Sequence, residues 1–250
     1  GLALFGSLLF AALPWLPPLR RARAASVDLD NCNGCTRCAD DCPYAAIDMG
    51  PRTDGAPFDR QAVVDPGLCV SCGICVGACP TSMPFRRASD LIPGIDLPDM
   101  PLRELRDRVD REGASLAGKS RIIVFGCDHG VELHGLAEAH VAPLGIPCIG
   151  MLPPSFIDYV LSRDLADGVV LAGCSEGECH NRLGIRWTQE RIARTRDPRL
   201  RKRVPLERIE MVWASPVEGW TLRKRLADFR DRLERIAPGA SKTDREKAAE

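Results

Sequence analysis

Cys32-Asn-Gly-Cys35-Thr-Arg-Cys38-Ala-Asp-Asp-Cys42-Pro43 is answered 37 residues later by Cys69-Val-Ser-Cys72-Gly-Ile-Cys75-Val-Gly-Ala-Cys79-Pro80. Both stretches read CxxCxxCxxxCP. Three thiolates two residues apart can wrap one corner of an iron-sulfur cube through a tight loop. The fourth, followed by a proline that bends the chain away, reaches the other cube. A pair of zinc sites or four disulfides are the competing uses. Zinc, however, needs four ligands per ion and no third regular CxxC step, and disulfides do not suit a compartment that keeps thiols reduced. Gly34, Gly73 and Gly77 beside the cysteines let backbone N–H groups approach sulfide.

The doubled motif resembles the bacterial two-cluster ferredoxin. That resemblance implies that Cys32, Cys35, Cys38 and Cys79 hold one 4Fe-4S cluster, while Cys69, Cys72, Cys75 and Cys42 hold a second. Between the halves, residues 47–49 and 62–64 read as short strands joined by a turn-rich stretch at 50–57. Residues 28–88 are therefore expected to form an α+β ferredoxin-like domain.

From 89 to 118 the pattern dissolves into prolines and a charged segment at 103–112, read as a linker or bracing arm that forms a short surface helix. Beyond it, apolar runs at 121–126, 145–150, 168–173 and 209–214 alternate with helical patterns near 131–141, 154–165, 180–196 and 218–236. Such alternation predicts an α/β three-layer domain with a four-stranded parallel sheet over 119–237, its functional loops at the carboxyl edge. The four remaining cysteines fall at that edge. Cys127 follows the first strand, Cys148 lies in or just after the second, Cys174 follows the third, and Cys179 opens the next helix. Four thiolates satisfy one cluster, and a helix N-terminus beside Cys179 would favour its thiolate.

Leu171-Ala-Gly-Cys174-Ser-Glu-Gly-Glu-Cys179-His180-Asn181, with Cys148-Ile-Gly150-Met-Leu-Pro-Pro154 and Cys127, resembles the iron-sulfur delta subunit of methyl-viologen-reducing hydrogenases over residues 119–237. The resemblance implies a 2Fe-2S cluster on Cys127, Cys148, Cys174 and Cys179. It also implies electron passage from a hydrogenase or formate dehydrogenase into heterodisulfide reductase or a related complex. Members of that family tend to carry additional cysteines near the first strand end, where this chain has Gly126 and Gly130. His129 and His180 are alternative ligands in a Rieske-like arrangement, whereas His134 and His140 are expected in a helix without a role. A structural zinc or a thiol-disulfide pair are other uses of these cysteines, although Cys174 and Cys179 are not spaced CxxC.

Thirty-four basic residues cancel thirty-four acidic ones, so whole-molecule electrostatics cannot supply affinity for nucleic acid. With 45% hydrophobic residues the 250-residue chain can bury one sizeable core or two modest ones. Residues 182–208 hold ten basic against three acidic residues, expected as a docking face for an acidic redox partner or anionic lipid. Residues 2–19 contain Ser7 as their only polar side chain, and Arg20, Arg21 and Arg23 follow at once. This reads as the end of a transmembrane segment with a cytoplasmic basic flank, over 1–24. The tail at 238–250 is expected to be disordered. No Ser-His-Asp order, phosphate loop or dinucleotide glycine pattern appears.

The expectation is a membrane-tethered electron-transfer subunit on the cytoplasmic face of the cell membrane. It would work between a hydrogenase, formate dehydrogenase or heterodisulfide-reductase-like partner and a haem or quinone carrier. Two other functions stay open: a reductase end acting on a disulfide or quinone substrate itself, and a ferredoxin domain joined to a zinc-braced docking domain.

Overall fold

The structure is a computed structural model that describes residues 22–52, 54–87 and 91–236. The apolar stretch at 2–19 and the tail at 238–250 lie outside those residues. Among the described residues, no helix is long and apolar enough to cross a membrane.

The chain enters through Ser26–Val27 (β1), and the first cysteine loop leads into the one-turn helix Arg37–Asp40 (α1). Ile47–Pro51 (β2) and Arg60–Val64 (β3) form an antiparallel hairpin with Ile47 opposite Val64, spanning the two short strands expected there. The second loop leads into Ile74–Ala78 (α2). Ile95–Asp96 (β4) then returns to pair antiparallel with β1, Ser26 facing Asp96. The internal repeat is visible in the backbone as well. Gly34 and Ser71, equivalent in the two loops, have φ of 64° and 61°, and Thr36 and Gly73 have φ of 65° and 76°. Each loop thus places glycine at one of its two left-handed positions and a side chain at the other, at a cost of about 1–2 kcal/mol for the non-glycine residue. Local bonds offset that cost: Thr36 Oγ1 donates to Asp40 Oδ2 at 2.7 Å, and Ser71 Oγ donates to the Arg23 carbonyl at 2.6 Å.

The charged segment after residue 100 forms a helix, Leu102–Ser115 (α3), that buries Leu102, Leu105 and Val109. Ile122–Cys127 (β5), Val141–Ile146 (β6), Gly168–Gly173 (β7) and Ile209–Trp213 (β8) form a four-stranded parallel sheet in the order β6-β5-β7-β8. Between them lie Pro154–Ser162 (α4) and Gly184–Ile192 (α5), and Gly219–Arg235 (α6) closes the unit. β5 and β7 are buried along their whole length, as strands covered on both faces must be. Ile123, Phe125, Val169 and Leu171 face the layer holding Leu105 and Val109 of α3 with Phe156 and Val160 of α4. Their neighbours Ile122, Val124, Val170 and Ala172 face Leu222, Leu226, Phe229 and Leu233 of α6.

Two expected elements differ. The second strand lies at Val141–Ile146 rather than 145–150, because Pro143 and Gly145 are tolerated within it: β6 is an edge strand, where a missing backbone N–H has no neighbour to disappoint. The helix expected at 131–141 does not form. Gly135 stands at φ 70°, outside helical space, and the segment crosses from β5 to β6 as a loop whose Val131 and Leu136 pack beneath α6. His134 and His140 sit in this crossing rather than on a helix.

Asp96 joins the two parts. Its carboxylate accepts the backbone N–H of Leu97 at 2.9 Å and of Leu102, the first residue of α3, at 3.1 Å. Burial nevertheless pushes its pKa up to about 6. Since the folded chain holds this proton more tightly than the unfolded one, folding loses stability as pH rises from about 4 through 6, by up to about 3 kcal/mol. Asp96→Asn keeps an acceptor for both amides and removes the charge. The variant should therefore melt above the parent at pH 7, with the gap closing toward pH 5 in a thermal-denaturation series.

Candidate metal centres

Cys32, Cys35, Cys38 and Cys79 line one small cavity, which Met49, Ala62 and Ile95 close from the apolar side. Cys42, Cys69, Cys72 and Cys75 line a second, walled by Ala25, Ile47, Ile74 and Leu97. The fourth cysteine of each motif has therefore crossed to the other motif's first three. Cys79 Sγ lies 3.0 Å from Thr81 Oγ1, and the Ala46 N–H donates to Cys42 Sγ at 3.4 Å. Cys35 is exposed, whereas Cys32, Cys38 and Cys75 are buried.

The remaining four meet at the carboxyl edge of the sheet, as their positions after the strands predict. Cys127 Sγ and Cys174 Sγ are 3.9 Å apart, Cys127 also bonds Cys148, and Cys174 bonds Cys179. Gly184 sits against this group, where a Cβ would overlap Cys148 Sγ and come 3.4 Å from Cys179 Sγ. Helix α5 starts at Gly184, four residues later than the pattern suggested, yet the backbone N–H groups of Gly184 and Ile185 do reach Cys179. His129 and His180 stack on each other, ring centres 3.6 Å apart and planes 12° from parallel.

Several of the thiols hold their protons firmly. Burial pushes Cys38 up to about 12 and Cys72 up to about 11, and carries Cys75 well above its ordinary value. The bond with Cys148 is the largest influence lifting Cys127 to about 11. Cys174 and Cys179 are raised chiefly by their bonds to Cys127 and Cys174 respectively. A thiol-disulfide nucleophile needs the opposite shift. Such thiols release protons when a metal takes them as thiolates, so metal retention weakens as pH falls. The donor sets fit iron-sulfur groups: four thiols in each, two sets lining enclosed apolar cavities, the third with a glycine where a side chain would intrude. Among the described residues, no three His, Cys, Asp or Glu side chains close on a single ion position.

The second and third groups adjoin through a packed junction that sequence reasoning missed. Ile74 and Cys72 pack with Cys148, Trp187 and Leu183. Tyr44 donates to Asn181 Oδ1 at 3.0 Å. Asp41, the residue before Cys42, accepts Arg191 Nη2 at 2.5 Å and Arg196 Nη1 at 2.7 Å. Arg191 Nη1 donates to the Gly150 carbonyl at 2.9 Å, and Trp187 Nε1 to the Asp41 carbonyl at 3.1 Å. Several arginines of the basic run at 182–208 are thus committed inward. Arg182 bonds the Pro43 carbonyl, and Arg194 bonds the carbonyls of Leu200 and Val204. No sequence signal joins Asp41 to a partner 150 residues away.

Twelve thiols gathered in three groups of four, on a ferredoxin-type hairpin unit and the functional edge of a parallel sheet, define an iron-sulfur protein of the electron-transfer kind. Residues 31–83 match the 4Fe-4S dicluster domain family. Residues 122–237 match the family described as methyl-viologen-reducing hydrogenase, delta subunit. The two matches follow one another along the chain. It is 27% identical over 126 residues to the vhc iron-sulfur subunit of the F420-non-reducing hydrogenase of Methanococcus voltae, covering 47% of this chain and 87% of that one. The corresponding iron-sulfur subunit of the F420-non-reducing hydrogenase of Archaeoglobus profundus is 28% identical over 93 residues, 37% of this chain and 67% of its own. Ferredoxin-3 of a Nostoc species is 29% identical over 90 residues, 32% of this chain and 89% of its own.

Proposed function

We propose that the chain is the electron-relay subunit of a hydrogenase-type complex, tethered through residues 1–24 to the cytoplasmic face of the cell membrane. In this reading Cys32, Cys35, Cys38 and Cys79 hold one 4Fe-4S cluster and Cys42, Cys69, Cys72 and Cys75 a second. Cys127, Cys148, Cys174 and Cys179 hold a 2Fe-2S cluster. When bound, these groups supply one-electron chemistry. The chain's own residues fix the three groups and set the local charge.

One observation carries the reading: the three thiol groups stand in series. Cys75 of the middle group is close enough to Cys38 of the first for their charges to interact. Cys72 packs beside Cys148 of the third. Tyr44 lines the cavity of the middle group and donates to Asn181, two residues after Cys179. The partner favoured by the relatives' names is a hydrogenase. A formate dehydrogenase or heterodisulfide-reductase-like complex fits the same chemistry, and a haem or quinone carrier is proposed at the membrane.

Metal analysis of anaerobically purified protein tests the reading. About ten irons per chain are expected, two cubes and a 2Fe-2S centre. About eight irons with one zinc would mark the sheet edge as a zinc-braced docking module instead. Eight irons alone would leave the last four thiols without a redox role.

A further inference from the structure

The junction between the second and third thiol groups contains an ion pair that burial makes expensive. Arg191 and Asp41 are 1% and 3% exposed at the side chain. Arg191 Nε is buried without an acceptor. Removing two charges from water costs more than their attraction reliably returns, so such a pair is weak evidence for stability and calls for another role. Its connections suggest one. Asp41 immediately precedes Cys42, and Arg191 bonds the carbonyl of Gly150, two residues after Cys148. One guanidinium therefore ties the side chain next to a ligand of the middle group to the backbone next to a ligand of the third. Gly77 and Gly150 allow the two backbones to meet, since a Cβ at Gly77 would overlap the Gly150 carbonyl.

The charge count is also uneven. Asp41 receives both Arg191 and Arg196, and Arg196 in turn shares Glu190 with Arg186. Three guanidinium groups face two carboxylates, leaving one net positive charge. Arg191 holds its charge away from water, where it is weakly screened, whereas Arg196, Glu190 and Arg186 are 27%, 29% and 66% exposed; each added electron makes the neighbouring sites more negative.

We infer that Arg191 is the positioning residue of the relay: it holds the Cys42 loop and the Cys148 turn at one separation and favours the reduced state at both sites. The inference rests on the proposed relay function and assigns its inner junction a specific device.

The test uses the iron-loaded full chain and redox titration followed by paramagnetic resonance. Arg191→Met removes the charge while keeping an apolar stem. It should make reduction at the middle and third sites at least about tenfold less favourable, about 59 mV for one electron. The Cys32 group, further off, should shift less. Arg191→Lys should restore most of the potential by restoring the charge. If Arg191→Met keeps its iron and its potentials, the inference is overturned. Should Arg191→Met fail to fold, Arg196→Gln, on the less buried partner of the same carboxylate, decides. A smaller shift in the same direction supports the inference, and unchanged potentials reject it. An iron count of eight in the parent protein would instead strike the relay reading, leaving the effect at the Cys42 site still measurable.

Discussion

Gly184→Ala should strip metal from the sheet-edge thiols while leaving the other eight cysteines loaded. Gly184 is the first residue of α5, where alanine is otherwise the better helix former. The objection to alanine is local: its Cβ would overlap Cys148 Sγ and press on Cys179 Sγ at 3.4 Å. Cys148 is 1% exposed and has no room to turn away. Helix α5 cannot retreat either, since Arg191 and Trp187 anchor it to the Asp41 loop. One methyl group thus displaces Cys148 from the four-thiol group. Iron should fall from about ten to about eight per chain, and the resonance of the third centre should vanish while those of the two cubes persist. A variant with full iron and an unaltered third signal would show that this glycine does not guard the site.

Gly77→Ala should act on the whole molecule. There the new methyl group meets the Gly150 carbonyl, lies 2.7 Å from Arg191 Nη1, and lies 3.0 Å from the Met151 carbonyl. Two of the three obstacles are backbone atoms that a rotamer change cannot move. The expected cost is about 3 kcal/mol, the upper part of the overpacking range. It should appear as a lower denaturant midpoint and as proteolytic cutting between the two units at concentrations the parent resists. Gly219→Ala, where a Cβ meets nothing within 4 Å, is the matched control and should leave both measurements in place.

The grouping of the thiols is largely legible in the sequence because its information is local. A cysteine spacing of three fixes a loop, and its recurrence 37 residues on fixes the second loop. The last four cysteines are legible through the alternation of strands and helices, which puts Cys127, Cys148 and Cys174 at one edge. What escapes is set by long-range contact. Val141–Ile146 hides a strand behind a proline that only an edge position tolerates, and edge position is a property of sheet order. The stretch from Val131 to Val141 carries a helical alternation, but Gly135 and the pull of α6 on Val131 and Leu136 win over it. The arginines at 182–208 read as a solvent-facing patch because charge composition does not say which way a side chain points. Arg191 points into the most buried ion pair of the junction.

The two cysteine loops are near copies, down to their left-handed turns, yet they meet unlike surroundings. The first leaves Cys35 open to solvent, whereas its counterpart in the second, Cys72, is partly buried against the sheet domain. A duplicated module sealed on one side only acquires polarity: its halves begin equivalent, and the neighbour decides which becomes the doorway and which the corridor.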